Sequence, residues 1–166
     1  MKKSVRYLAT GGVVAALYVA LTAAFAPISF GFTQFRISEV LVLLPVLTPA
    51  AIPGVAIGCF LSNLLFGGLG PIDVIFGTLA TLLGALGTRW LRKLAPLAPL
   101  PPIVLNALIV GTYLVYLLPQ PVAPTPYWES MLAVAIGEIV VLYLLGLPLI
   151  YLLMRIDARH RLFPQD

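Results

Sequence analysis

Glu138 sits in the string Ala135-Ile136-Gly137-Glu138-Ile139, a carboxylate with apolar neighbours on both sides. A charge inside an apolar run is expensive and marks a functional position by default. Glu138 therefore reads as a ligand-binding carboxylate, or as a structural partner for Arg36 or a backbone donor. Arg36 and Glu39 stand three residues apart and share a face if both are helical. They either pair with each other or offer a guanidinium and a carboxylate to a polar solute. Asp73 follows the turn Gly67-Gly68-Leu69-Gly70-Pro71, where it caps a helix or joins the same site. Asn63 and Asn106 are amides in apolar stretches, and Gln34 lies just before Arg36. Such amides hold helices together or present donor–acceptor pairs to a polar heterocycle. Tyr113, Tyr116, Tyr127 and Trp128 read mainly as an interfacial aromatic belt, with a ring such as that of Trp128 available to stack on a planar ligand. The chemistry on offer is hydrogen bonding and charge pairing to a small polar solute.

Absent motifs narrow this further. The sequence has no Gly-Lys pair, and so no phosphate-binding loop of the G-x-x-x-x-G-K-[ST] type. It has neither H-E-x-x-H nor G-x-S-x-G, and no nucleophile–base set suggests an enzyme. The single cysteine, Cys59, excludes an internal disulfide and a cysteine-built zinc site, and reads as a small packing residue. The single histidine, His160, lies in the polar C-terminal tail, which argues against a histidine-based metal site.

The elements that position these residues follow from composition. Of 166 residues, 61% are hydrophobic and 10% charged. Soluble domains carry about 25% charged and about 45–50% apolar residues. A soluble domain, a disordered tail and a nucleic-acid-binding module are excluded, and an all-α integral membrane protein is indicated. At about 20 residues per span the chain holds about six spans. They are expected at about 6–27, 38–48, 52–66, 71–91, 102–118 and 127–155, in a single membrane domain over residues 1–166. The basic start Met1–Arg6 and the apolar run Tyr7–Ala26 read as a retained first helix, because the run exceeds the 7–15 residues of a signal core. Ile28–Phe35 reads as an outer loop or a hairpin that dips back. Ser38 is the expected cap of a short second helix that Pro45 interrupts and Pro49 ends. Short, proline-interrupted membrane segments line cavities.

Charge gives the topology. Lys2, Lys3 and Arg6 precede the first span, Arg89, Arg92 and Lys93 follow the fourth, and Arg155, Arg159 and Arg161 follow the sixth. With six spans all nine fall on one side, which the positive-inside rule makes cytoplasmic, with both termini inside. Arg36, the remaining basic residue, falls on the outer side with Glu39, Asp73 and Glu129. Glu138 follows Glu129 by nine residues, about 14 Å down a helix at 1.5 Å per residue. The polar groups thus form a cup opening outward. On the first helix Gly12, Ala16 and Ala20 make a small-residue stripe, beside a second one of Gly11 and Ala15. Both suit close helix approach, within the bundle or to a partner. Gly77, Thr81 and Ala85 form a similar ladder, expected to pack internally.

These features together resemble the substrate-binding S-components of energy-coupling factor (ECF) transporters. The strings Pro27-Ile28-Ser29-Phe30-Gly31, Gln34-Phe35-Arg36-Ile37-Ser38-Glu39, Thr48-Pro49-Ala50-Ala51-Ile52-Pro53-Gly54, Gly77-Thr78-Leu79-Ala80-Thr81 and Gly137-Glu138 with Gly146-Leu147-Pro148 resemble the QueT family, over nearly the whole chain. The resemblance implies a six-helix S-component bundle in the bacterial cytoplasmic membrane. It implies uptake of a queuosine precursor: a 7-deazaguanine in its aminomethyl or nitrile form, or queuine. It also implies an ECF transmembrane coupling protein and two ATPase subunits as partners, with no cofactor of the chain's own. The N–H and exocyclic amine on one edge of a deazaguanine suit a carboxylate such as Glu39 or Glu138. Asn63 or Arg36 suits the ring carbonyl, a second acid suits an aminomethyl cation, and an aromatic face suits the ring plane. Ile28–Phe35 would then be a lid, and Gly12, Ala16 and Ala20 the face docking on the coupling protein. An S-component for another small vitamin, and a self-sufficient secondary carrier, are the alternatives.

Overall fold

The computed structural model describes residues 3–30, 33–117 and 126–156, and every regular element among them is helical. Lys2, Gly31, residues 118–125 and residues 157–166, with Arg159, His160 and Arg161, lie outside the described residues. Helix α1 spans Lys3–Ala24. A single turn, α2 (Ala26–Ser29), follows with Pro27 in its first turn, where a missing N–H does no harm. Part of the expected outer loop is therefore helical.

The expected second helix differs in kind. Ile37–Val46 is a ten-residue 3₁₀ helix, and Ser38 to Val46 are all buried. Pro45 has no N–H for an α-type bond to Leu41, and the β-branched Val40 and Val42 lower α propensity. At about 2.0 Å per residue the segment reaches about 20 Å, further than an α-helix of equal length. It runs through the centre of the molecule, packed against α1 and the helices that follow. Ser38 does not cap it. Its hydroxyl shares a hydrogen bond of 2.8 Å with that of Thr22 on α1.

Helix α3 (Ala51–Ser62) widens into a π-helical turn, Asn63–Gly67, and stops at Gly68, whose φ of +66° favours glycine. A second π turn, Asp73–Gly77, leads into α4 (Thr78–Trp90). Helix α5 covers Leu100–Tyr116. The last run comprises α6 (Tyr127–Ile139), a π segment (Val140–Gly146) and α7 (Leu147–Ile156). Pro148, in the first turn of α7, cannot donate to the carbonyl four residues back, and the widened segment before it absorbs that defect.

Small residues bring the helices to backbone contact. A Cβ added to Gly54 would sit 2.7 Å from the Gly11 carbonyl oxygen, and one on Gly58 would sit 2.6 Å from Tyr18 Cβ. The Gly11–Ala15 stripe is thus consumed inside the bundle, against α3. Gly77, Thr81 and Ala85 are buried, as their ladder suggests. Gly12, Ala16 and Ala20 stay exposed, and a Cβ on Gly12 would meet nothing within 4 Å.

The polarity is that of a chain suited to lipid. Leu8, Leu64, Leu65, Ile75 and Leu144 are exposed, whereas Arg36, Glu39, Asn63, Asp73, Asn106 and Glu138 are buried. Among the described residues three helical runs, Ser4–Ala24, Ala95–Tyr116 and Tyr127–Ile156, are long and apolar enough to cross a bilayer. Ile37–Val46 and Ala51–Gly67 are shorter apolar helices.

Candidate functional site

The 3₁₀ helix carries Glu39 into the interior, where its Oε1 accepts hydrogen bonds from the Tyr18 hydroxyl of α1 and from the Thr81 hydroxyl of α4, the latter at 3.2 Å. Arg36, the residue before that helix, has an extended backbone. Its Nη1 donates to Cys59 Sγ at 3.7 Å and its Nη2 to Gln34 Oε1 at 3.4 Å. Its guanidinium carbon lies 5.1 Å from the centre of the Phe30 ring, within cation–π range. Among the described residues none of its hydrogen bonds goes to a carboxylate, so the simple Arg36–Glu39 pair is not formed.

Gln34 holds this loop at a non-glycine φ of +47°. Such a conformation costs on the order of 1 kcal/mol and persists only when the surroundings impose it. Here the Gln34 carbonyl accepts the Arg36 N–H at 2.8 Å, and the Thr33 and Gln34 carbonyls rest on Gly137. A Cβ at Gly137 would collide with the Thr33 oxygen and come within 3.0 Å of that of Gln34. The glycine thus seats the Thr33–Arg36 stretch against α6, beside Glu138.

Glu138 Oε1 accepts from Asn106 Nδ2 of α5 at 2.8 Å. Asn63 and Asp73 open the two π turns. Asn63 Nδ2 donates to the Asp73 backbone carbonyl at 3.0 Å and lies 3.6 Å from Cys59 Sγ. Asp73 makes no cap. Its Oδ1 accepts from the Tyr113 hydroxyl at 2.6 Å.

Arg36, Glu39, Asn63, Asp73, Asn106, Glu138 and Gln34 are therefore brought together in one buried group. Trp128 is not among them. It is 59% exposed in the first turn of α6, and among the described residues it has no hydrogen bond to the group. Tyr18, Thr81 and Tyr113 also belong to the group, and Cys59 touches Arg36, Asn63 and Thr81 rather than merely filling space. The belt reading of Tyr113 fails because its ring is fully buried. Helical spacing carries a signal for some of these: Cys59, Asn63 and Gly67 recur every four residues, as do Asp73, Gly77 and Thr81, and Asn106 and Tyr113 are seven apart.

The group is under-satisfied. Glu39 Oε2, Glu138 Oε2, Asp73 Oδ2, Asn63 Oδ1, Arg36 Nε and Gln34 Nε2 are buried without a hydrogen-bond partner. Folded interiors satisfy the large majority of such atoms, and each orphan costs about 1–3 kcal/mol. Four acceptors and two donors are thus left open in the buried group.

The family model described as QueT transporter matches residues 8–155. A curated relative, the Queuosine precursor transporter QueT of Lactococcus lactis subsp. cremoris (strain MG1363), is 44% identical over 86 residues, covering 50% of this chain and 50% of that protein. The matched stretch thus spans about half the length of that relative. No solved structure matches.

Proposed function

The chain belongs to the QueT transporter family, and from that premise we propose that it is the substrate-binding S-component of an ECF importer for a queuosine precursor. The substrate is a 7-deazaguanine. The observation that carries this is the set of buried, unpaired acceptors and donors around Glu39, Glu138, Arg36 and Gln34. A deazaguanine presents a ring N–H and an exocyclic amine side by side, and next to them a carbonyl. Glu138 Oε2 and Glu39 Oε2 accept the two donors. Arg36 Nε and Gln34 Nε2 donate to the carbonyl. Charge-assisted bonds of this kind are about twice as strong as neutral ones.

In this reading the chain is one membrane domain of six spans in the cytoplasmic membrane, with both termini inside. The short Ile37–Val46 segment, with apolar helices around it, is the broken, cavity-lining element common in membrane binding sites. Energy comes from outside the chain, from two ATPase subunits through a transmembrane coupling protein. That protein docks on Gly12, Ala16 and Ala20, the small-residue face left exposed on α1. Reconstitution in proteoliposomes tests this assignment. Uptake of a radiolabelled deazaguanine should require the coupling protein, the ATPases and ATP. Uptake by the chain alone, driven by an ion gradient, would make it a secondary carrier instead.

A further inference from the structure

The two π turns share a local pattern. Asn63-Leu64-Leu65-Phe66-Gly67 and Asp73-Val74-Ile75-Phe76-Gly77 both read polar, aliphatic, aliphatic, Phe, Gly. Each closing glycine makes room for the polar side chain of the other turn. A Cβ on Gly67 would lie 2.7 Å from Asp73 Oδ2, and one on Gly77 would lie 2.7 Å from Asn63 Nδ2 and 3.2 Å from Asp73 Oδ1. The turns are built around one another, and their product is a corner of defined polarity.

The open side-chain atoms of the two turns are acceptors only. Asn63 Nδ2 is committed to the Asp73 carbonyl, and the Tyr113 hydroxyl is committed to Asp73 Oδ1. What remains is Asp73 Oδ2 and Asn63 Oδ1, both buried and both unpaired. Asp73 is fully buried and Asn63 is 3% exposed. Phe30 walls the same spot, its ring carbon Cε1 lying 3.5 Å from where a Gly67 Cβ would be. A carboxylate oxygen, an amide oxygen and an aromatic wall suit an ammonium group, which carries three donors and no acceptor. A nitrile has only an acceptor nitrogen, which would face two oxygens with no proton between them.

We infer that the Asp73–Asn63 corner is a cation subsite that makes the chain prefer a 7-deazaguanine bearing an aminomethyl cation over its neutral nitrile counterpart. This rests on the reading above that a deazaguanine binds in the buried group. Glu39 and Glu138 take the edge of the ring system, while Asp73 and Asn63 take its substituent. Cys59 Sγ joins Arg36 to this corner, 3.7 Å from Arg36 Nη1 and 3.6 Å from Asn63 Nδ2.

Calorimetric titration of the purified full chain with synthetic 7-aminomethyl-7-deazaguanine and 7-cyano-7-deazaguanine tests it. The wild-type chain should bind the amine on the order of tenfold or more tightly than the nitrile, and Asp73→Asn should collapse that ratio toward one. Asn63→Ala, which removes one acceptor and no charge, should reduce the ratio partway. Equal wild-type affinities, or a ratio that survives in whichever of the two variants fold, would overturn the subsite while leaving deazaguanine binding intact. Failure of the wild-type chain to bind either compound would overturn the functional reading itself, and the subsite with it.

Discussion

Glu138 is fixed through one oxygen by Asn106 and left open at the other. Replacing it by Gln keeps the shape and removes the charge. A hydrogen bond to a charged group is worth about 1.5–3 kcal/mol, which corresponds to about a 10- to 100-fold change in Kd. Glu138→Gln should therefore weaken deazaguanine binding by that order in calorimetry, and unaltered affinity would remove Glu138 from the site. Tyr18→Phe should act on Glu39 indirectly: it strips one donor from Oε1 and lowers the melting temperature, with a buried acceptor left short by about 1–3 kcal/mol. The acids, Arg36 and the amides were legible in the sequence because charge and amide groups are rare in so apolar a chain. Tyr18, Thr81 and Tyr113 were not, because tyrosine and threonine are at home both in a membrane interface and in a polar core. Only the fold shows which hydroxyl faces an acid. Trp128 is the converse case, exposed rather than in the group, since an interfacial ring and a stacking ring look alike in one dimension.

Among the elements, the all-helical character could be read from apolar runs and prolines, but not how the runs divide into α, 3₁₀ and π segments. A 3₁₀ helix and an α-helix differ by little over half a residue per turn, and over ten almost wholly apolar residues the hydrophobic pattern has no polar face to measure that difference. Pro45 signalled a disturbance without saying which. The π turns were equally hidden, although Asn63 and Asp73 each open one and Glu138 lies just before another. Such widened turns are frequent at functional sites. Gly137 is the sharpest element-level prediction. In Gly137→Ala the new methyl group meets the Thr33 and Gln34 carbonyls, so the Thr33–Arg36 stretch must lift away. Overpacking of this kind costs about 1–3 kcal/mol. The variant should melt at a lower temperature and bind precursor more weakly, although no ligand-contacting side chain has changed. Wild-type melting and affinity together would show that the seat is unimportant.

For the molecule as a whole, composition told the most: charges are few, and Arg36, Glu39, Asp73 and Glu138 are buried. What it could not tell was which of two adjacent small-residue stripes on α1 is internal. Gly11 and Ala15 lie against Gly54 and Gly58, whereas Gly12, Ala16 and Ala20 face outward. The two should separate by mutation. Gly58→Leu should unfold or strongly destabilise the chain, because its Cβ already meets Tyr18. Ala16→Leu with Ala20→Leu should leave melting and precursor binding unchanged but abolish uptake in the reconstituted importer. Unimpaired uptake would remove the docking face. The central claim, that the buried group holds a queuosine precursor, is tested most directly by mass spectrometry of the small molecule released from the purified full chain after expression in a precursor-making bacterium. A 7-deazaguanine base is expected at near-stoichiometric amounts in the wild-type chain. A vitamin of another chemical class in its place, or no deazaguanine at all, would contradict it.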